Sequence, residues 1–304
     1  MTGPITTAHQ GIAPPVPRLP DETTLGAVRL QVAELDRSVG FYERVLGLAV
    51  IARRADAASL AARGERAAIV ELVERRGARP VSRRGHLGLY HFAVLLPDRA
   101  ALGRFLGHVA ELGIQVGMSD HLVSEAIYLN DPDGLGIEVY ADRPRADWRW
   151  ADRQLTMSTL PLDAGSVLAA AGGERWTGAP AGTRIGHVHL HVGTIEGAES
   201  FYHDTIGFDK VVWSYPGALF LSAGGYHHHL GTNTWAAGAA PAADDDAKLL
   251  EWTIVLPSAG EVGEVADRVE GAGHPMRREG ADVLATDPWG TVVRLRAATA
   301  ESIA

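Results

Sequence analysis

The sequence contains no cysteine, and this absence excludes disulfide bonds, thiolate catalysis and thiolate metal sites. It also lacks any apolar run near the roughly 18 residues of a membrane-spanning helix, which predicts that no membrane is a partner. The N-terminus has no charged segment followed by an apolar core, so no secretory signal is expected. These absences together predict a cytoplasmic protein.

Positive charge is also scarce in this chain of 304 residues. It has 28 Lys and Arg against 37 Asp and Glu, and the formal net charge of -9 argues against a nucleic-acid partner, whose phosphates would be repelled. Apolar residues are plentiful, at 46%, and can form packed cores in one or two domains. Without thiolates, a metal must be held by His, Asp or Glu, which suit Fe(II), Mn(II) or Zn(II).

The chain contains an internal duplication. Residues 25–48 align without gaps on residues 185–208, and residues 90–114 align on residues 250–274 at the same shift of 160. Near the end of each half, "DPDG" and "DPWG" occupy matching places. The chain is therefore predicted to be two copies of one unit.

The duplication predicts two tandem domains with a linker between them. We place the first domain at residues 22–145, the second at residues 184–299, and the linker, with one short helix, at residues 146–183. The first 21 residues contain several prolines and are predicted to form a loose N-terminal arm.

Each half divides again into two segments with the same order of elements. Every segment opens on an alternating strand such as "HVHLHV" (187–192), in which the three histidines share one face. A helical stretch follows, and then short strands, the last of which begins after a tight turn. The pattern predicts an α+β fold of four βαβββ modules.

Four such modules with "FY" helices and "DPxG" turns resemble the vicinal oxygen chelate superfamily, with its glyoxalase/bleomycin-resistance/dioxygenase fold. "HFAVLLPD" (91–98), "GYHHH" (225–229) and "YLNDPDGLGIE" (128–138) are similar to its extradiol dioxygenases of the catechol 2,3-dioxygenase type. The resemblance covers nearly all of the chain outside the arm and the linker. It implies meta cleavage of a catechol-type ring by O₂ on non-haem Fe(II), or Mn(II), to a hydroxymuconic semialdehyde-type product, as in aromatic hydrocarbon catabolism.

The resemblance also implies where metal ligands lie, because the superfamily takes them from the first and last strands of its modules. At the first-strand place the four modules carry, in order, Ala27, His91, His187 and Glu251. At the last-strand place, module two carries Glu138 and module four carries Arg294. The implied ligands are therefore His91, Glu138 and His187, two imidazoles and one carboxylate that leave metal positions open for substrate and O₂.

These ligands come from modules two and three, so a complete site requires those two modules to meet. We predict that modules two and three build the metal cup and that modules one and four pair with each other, within the chain or between chains. In the cup of module four, Glu251 and Arg294 are predicted to form an ion pair.

By the same resemblance, His228 is the acid–base residue and Tyr128, ten positions before Glu138, is the active-site tyrosine. Strand neighbours point to opposite faces, so His227 and His229 are expected to look away from the cup if His228 looks into it. They are then structural residues or supports of the site.

Three further residues have two interpretations each. His189 shares a strand face with His187 and is the ligand instead if the register is shifted by two residues. Asp120 and His121 precede the tyrosine, where the superfamily contacts its substrate, but their spacing departs by about two residues. They contact the substrate hydroxyl, or they are a capping Asp and a surface His.

Two other functions stay open. A glyoxalase-like metal-dependent isomerase or lyase shares the fold but usually has a fuller ligand set, and a small-molecule-sequestering resistance protein needs no ligand triad. The expected partners are a small aromatic diol and O₂. By analogy with the superfamily, a homo-oligomer is one of the open assembly states.

Overall fold

A computed structural model describes residues 10–82 and 85–299. The strands are β1 (Thr24–Val32), β2 (Ala49–Arg53), β3 (Ala57–Ala61), β4 (Val70–Glu74), β5 (Gly88–Leu95), β6 (Gly117–Asp120), β7 (Ser124–Asn130), β8 (Gly136–Asp142), β9 (Trp150–Ala151), β10 (Gln154–Leu155), β11 (Arg184–His191), β12 (Asp209–Val212), β13 (Ala218–Ser222), β14 (Leu230–Asn233), β15 (Lys248–Leu256), β16 (Met276–Glu279), β17 (Asp282–Thr286) and β18 (Val292–Ala297).

The helices are α1 (Leu35–Arg44), α2 (Arg99–Glu111), α3 (Ala164–Ala170), α4 (Ile195–Ala198), which continues as a π-helix over Glu199–Ile206, and α5 (Ala259–Gly271). A 3₁₀ turn covers Arg145–Asp147. None of the helices within the described ranges is long and apolar enough to cross a membrane.

The predicted α+β fold of four βαβββ modules is confirmed. The modules are β1–β4 with α1, β5–β8 with α2, β11–β14 with α4, and β15–β18 with α5. Helix α3 is the short helix expected in the linker. Asp98 and Ser258 cap helices α2 and α5, since each side chain accepts a hydrogen bond from a backbone N–H of the first turn.

The modules combine into two eight-stranded sheets, and each sheet draws on both halves of the chain. One sheet has the order β16-β17-β18-β15-β1-β4-β3-β2, and the other has the order β12-β13-β14-β11-β5-β8-β7-β6. At each centre the first strands of two modules pair antiparallel, β1 with β15 and β5 with β11. The predicted pairing of module two with three, and of one with four, is confirmed within a single chain.

Alternation along β5 separates the two faces of the sheet formed by modules two and three. Phe92 and Val94 belong to the main hydrophobic core, which also takes apolar side chains from the other sheet and from helix α2. Ala93 and Leu95 point the other way and belong to a small separate cluster with Tyr140. This second face, which we call the open face, carries the polar residues described below.

The described part of the N-terminal arm, residues 10–21, is packed rather than loose. Ile12 forms a β-bridge with Lys210, and the Leu19 side chain is only 3% exposed. Proline restricts regular secondary structure but does not prevent an extended chain from burying an apolar side chain, which explains the correction. Residues 1–9 of the predicted arm lie outside the described residues.

The sheet of modules one and four has an ion pair where the other sheet has histidines. The Arg294 guanidinium on β18 donates hydrogen bonds of 2.8 and 3.0 Å to the two carboxylate oxygens of Glu251 on β15. It also donates to Glu279 and Asp282. The Glu251 and Arg294 side chains are about nine-tenths buried, and the predicted pair is confirmed.

Removing Arg294 alone should destabilise the protein more than removing both partners of this pair. In Arg294→Met, Glu251 stays buried without its cation, and we expect a loss on the order of 3–5 kcal/mol in the free energy of unfolding. In the Glu251→Leu/Arg294→Met double variant no charge of the pair is stranded, and part of the loss should return. Urea unfolding of the two variants measures the difference, and equal losses would contradict the expectation.

Candidate metal centre and active site

Four adjacent strands place a row of residues across the open face. Tyr128 on β7 lies opposite Glu138 on β8, Glu138 lies opposite Ala93 on β5, and Ala93 lies opposite His187 on β11. Residues opposite one another in a sheet point to the same face. The methyl group of Ala93 leaves the space above it free, so the side chains of Glu138 and His187 meet over it.

His91 completes this group because it precedes Ala93 by two residues and points to the same face. His91 Nε2 lies 3.0 Å from Glu138 Oε2, and His187 Nε2 lies 3.1 Å from the same oxygen. One ligand atom from each of the three residues lies within 4.8 Å of the other two, and all three side chains are buried. The structure therefore brings the three expected ligands together.

The protonation states of this triad suit cation binding. Burial alone would raise the pKa of the Glu138 carboxyl, but the charge and hydrogen bond of His187, with the nearby His91, hold it well below its ordinary value. Burial lowers the pKa of His187 to about 4, against the attraction of Glu138. At neutral pH Glu138 is a carboxylate and His187 is a neutral imidazole, the forms in which both bind a metal.

A buried nitrogen of the triad that lacks a hydrogen-bond partner also suits metal binding. His91 Nε2 is buried and has no hydrogen-bond partner among the described residues, because its 3.0 Å approach to Glu138 lacks hydrogen-bond geometry. A cation shared by the three side chains would satisfy this nitrogen. Two imidazoles and a carboxylate suit Fe(II), Mn(II) or Zn(II), so these residues fit a divalent transition metal.

A cavity of about 210 Å³ opens over the triad. Strands β5 to β8, β11 and β13 contribute to its wall, together with a segment of the linker. It is lined by Tyr90, His91, Ser119, His121, Tyr128, Glu138, Met157, Ser158, Thr159, His187, His189, Tyr215, Phe220 and His228. The cavity therefore contains both residues predicted to act in catalysis, His228 and Tyr128.

The triple histidine lies in the turn that precedes β14, and not on a strand as predicted. His228 faces the cavity, and its ring centroid lies 4.1 Å from that of His187. His229 turns away and accepts a hydrogen bond from the Ala223 backbone N–H at its Nδ1. Since strict alternation does not apply in a turn, His227 also reaches the ring of His228.

The pKa values of His228 and Tyr128 are shifted in opposite directions, and both side chains are uncharged at pH 7. Burial, with a smaller contribution from His187, lowers the pKa of His228 well below its ordinary value, so the imidazole is neutral and has a free lone pair at pH 7. Burial and the Glu138 charge raise the pKa of the Tyr128 phenol well above 10. Tyr128 therefore keeps its proton while His228 is able to accept one.

Tyr128 and His121 are joined to the linker by hydrogen bonds. His121 Nδ1 lies 2.7 Å from the Ser158 carbonyl oxygen, and His121 Nε2 lies 2.5 Å from the Tyr128 hydroxyl oxygen. A carbonyl only accepts, so Nδ1 carries the His121 proton and Nε2 accepts from Tyr128. Asp120 instead accepts from Arg143 and from the Leu122 backbone N–H, and it is not among the described residues that line the cavity.

His189 lies beside the triad without joining it. It is opposite His91 across β5 and β11, and its Nε2 lies 3.0 Å from the Asn233 amide nitrogen. Its ring lines the cavity, with its centroid 5.0 Å from that of His91. The register that joins β5 to β11 thus places His187, and not His189, over Glu138.

Sequence reasoning missed about half of the cavity wall. Met157, Ser158 and Thr159 come from the linker, where no periodicity pointed to a site, and the Asp120–Leu160 bridge holds this segment against β6. Tyr90, Tyr215 and Phe220 were also missed. Only Tyr90 carried a usable signal, because it directly precedes a predicted ligand.

Two comparisons of sequence agree with this fold. Residues 24–139 match the model of the "Glyoxalase/Bleomycin resistance protein/Dioxygenase superfamily". The catechol-2,3-dioxygenase of Bacillus subtilis (strain 168) is 45% identical over 273 residues, which cover 88% of this chain and 95% of that protein. The chain therefore belongs to this superfamily, also called the vicinal oxygen chelate superfamily, and within it to the extradiol dioxygenases of the catechol 2,3-dioxygenase type.

Solved structures share the architecture at low sequence identity. Glyoxalase I from Zea mays superposes with a TM-score of 0.54 at 17% identity, covering 90% of this chain and 92% of that chain. The cppA protein from Streptococcus pneumoniae TIGR4 gives a TM-score of 0.57 at 11% identity, covering 90% and 98%. At these identities the likeness shows a common fold.

Proposed function

We propose that the protein cleaves a catechol-type aromatic diol with O₂ at the bond beside the two hydroxyl groups, giving a hydroxymuconic semialdehyde-type product. The observation that carries this proposal is the buried group of His91, Glu138 and His187 beneath a cavity whose wall contains His228 and Tyr128. The similarity to a catechol-2,3-dioxygenase over most of both chains supports the same reaction class.

His91, Glu138 and His187 would hold Fe(II), with Mn(II) as the alternative, because both ions accept two imidazoles and one carboxylate. Such an ion would supply a centre at which the diol and O₂ are brought together and electron density is shared between them. A single carboxylate among the three ligands leaves the centre positively charged, which favours an ionised diol. The protein side chains have to remove and return protons around this centre.

His228 would act as the general base and acid. Its ring is in contact with that of His187, so the side chain reaches a diol that lies over the triad. Its neutral imidazole can accept the proton of a diol hydroxyl and later return one to the leaving oxygen. The buried ring of Phe220, 5.0 Å away between centroids, restricts the imidazole to this side of the cavity.

Tyr128 and His121 would orient the substrate. The phenol stays protonated, and its oxygen is held by His121, which in turn is held by the Ser158 carbonyl. Because the Tyr128 proton is donated to His121, the phenol oxygen is oriented to accept a hydrogen bond from a hydroxyl group of the diol. Tyr90, Tyr215 and Phe220 supply aromatic walls against which a planar ring can stack.

Metal content and catechol turnover, measured on one anaerobic preparation, test the proposal. We expect about one Fe or Mn per chain and, on addition of catechol and air, O₂ uptake with a yellow product near neutral pH. Protein stripped with a chelator is the control and should be inactive until Fe(II) or Mn(II) is returned. Bound metal with no product from any of several substituted catechols would favour an isomerase or lyase, and absence of metal would favour a sequestering protein.

A further inference from the structure

A chain of hydrogen bonds reaches His228 from a second cavity. This cavity, also of about 210 Å³, is lined in part by Asp142 and Tyr226. Asp142 Oδ1 lies 2.9 Å from His227 Nε2, and His227 Nδ1 lies 2.7 Å from His228 Nδ1. His227 is completely buried and is not among the described residues that line either cavity. Its polar contacts are therefore with Asp142 and His228 and not with a substrate.

The direction of these hydrogen bonds follows from their partners. A carboxylate only accepts, so His227 Nε2 carries a proton and donates it to Asp142. A neutral His227 has one N–H, which leaves its Nδ1 as an acceptor. His228 must then donate from its own Nδ1, and a neutral His228 has no proton on Nε2. Nε2 is the nitrogen left for a group in the first cavity, because Nδ1 is engaged.

Asp142 and His227 are themselves held in place. The Tyr226 hydroxyl lies 3.2 Å from the Asp142 oxygen that meets His227, and the Tyr140 hydroxyl lies 2.7 Å from that of Tyr226. The His227 ring packs between Tyr226 and Trp148, with centroid separations of 4.1 and 5.5 Å. Neither side chain of the pair can rotate freely, so the packing holds the two hydrogen-bonded contacts in place.

We propose that Asp142 and His227 are positioning residues that fix the tautomer of His228, so that an unprotonated Nε2 faces the substrate. The inference rests on the acid–base role proposed above for His228. A base needs a lone pair toward the hydroxyl that it deprotonates, and the opposite tautomer would present an N–H there. The first histidine of the triple histidine, His227, thus works through the second, His228, while His229 stays outside these hydrogen bonds.

Nitrogen NMR of histidine-labelled protein tests the tautomer directly. The protonated and unprotonated ring nitrogens of a neutral histidine differ strongly in ¹⁵N chemical shift, and the signals of His228 are those lost in His228→Gln. In protein loaded with diamagnetic Zn(II), we expect His228 to be protonated at Nδ1 and bare at Nε2. A proton on His228 Nε2, including the case of a doubly protonated His227, would overturn the proposal.

Two substitutions of His227 separate positioning from packing. His227→Phe keeps a ring between Tyr226 and Trp148 but removes the acceptor, whereas the amide oxygen of His227→Asn takes the place of Nδ1. We expect His227→Phe to move the His228 proton to Nε2 and to lower kcat by about 10–100-fold, with KM and metal content little changed. His227→Asn should retain the Nδ1 proton and most of the turnover.

Asp142→Ala should change the His228 tautomer and kcat in the same direction as His227→Phe. Glu22→Ala is its matched control, because Glu22 is a carboxylate that lines the same second cavity, and it should leave both readouts unchanged. Equal kcat in wild type and His227→Phe would contradict the proposal. The NMR readout does not require turnover, so a protein that cleaves no catechol would refute the proposed function and still leave the tautomer open to test.

Discussion

Replacing Glu138 with glutamine is expected to abolish metal retention and turnover together. The substitution keeps the size of the side chain and removes the single negative charge of the triad, leaving two neutral imidazoles that cannot hold Fe(II) or Mn(II) through dialysis. A bound metal supplies several kcal/mol to the transition state, and each 1.4 kcal/mol is tenfold, so turnover should fall by at least about 10³-fold.

Glu251→Gln is the matched control for this experiment. Glu251 is also a buried carboxylate on a central strand, but it lies in the other sheet and pairs with Arg294. It should leave the metal content unchanged. Metal analysis after dialysis and O₂ uptake with catechol are the two measurements, and circular dichroism verifies folding. A Glu138→Gln protein that retains a full equivalent of metal would show that the ligands lie elsewhere.

Replacing His228 with alanine is expected to slow turnover by about 10²–10⁴-fold while the metal content stays at the wild-type level. His228 lies against His187, but it is not one of the three residues whose ligand atoms cluster. Its loss should therefore remove proton transfer and leave the metal in place. Steady-state kinetics and metal analysis of the same preparation provide both values.

Added imidazole gives a further readout for His228→Ala, because it can enter the space vacated by the side chain and restore part of the rate. His229→Gln is the neighbouring control, since His229 bonds to the Ala223 backbone outside the cavity. It should turn over catechol near the wild-type rate. If the metal is lost from His228→Ala, the residue is a ligand and the acid–base assignment fails.

Strand alternation and the internal duplication were sufficient to predict the four modules, and the family resemblance then implied the three candidate ligands His91, Glu138 and His187. The distribution of the predicted ligands also predicted which modules pair, because His91 and Glu138 come from one half of the chain and His187 from the other. No site could form unless modules two and three met, and the sheet order shows that they do. The ion pair of Glu251 and Arg294 followed from the same comparison of equivalent places.

The parts that could not be predicted are those without periodicity. The triple histidine was placed on a strand, whereas the chain makes a turn there and lets His227 and His228 contact each other. The linker segment around Ser158 joins the wall through backbone contacts, which any side chain permits. The bulges in the β5–β11 pairing cannot be read from side-chain types, and for this reason His189 stayed open as an alternative to the predicted ligand His187.

Modules two and three are consecutive in the sequence and form one sheet, whereas modules one and four flank them and form the other. This order affects how the chain folds during synthesis. The central strands β5 and β11 of one sheet are both synthesised before β15, the partner of β1 in the other sheet. Strand β15 lies more than two-thirds of the way along the chain. A growing polypeptide can therefore assemble the sheet of modules two and three, with the triad, before all strands of the sheet of modules one and four have been synthesised. Until then β1 presents an unpaired edge, and an early stop in translation would leave that edge open to other chains. The two halves of the chain therefore cannot separate as independent domains, since each sheet is built from one module of each half.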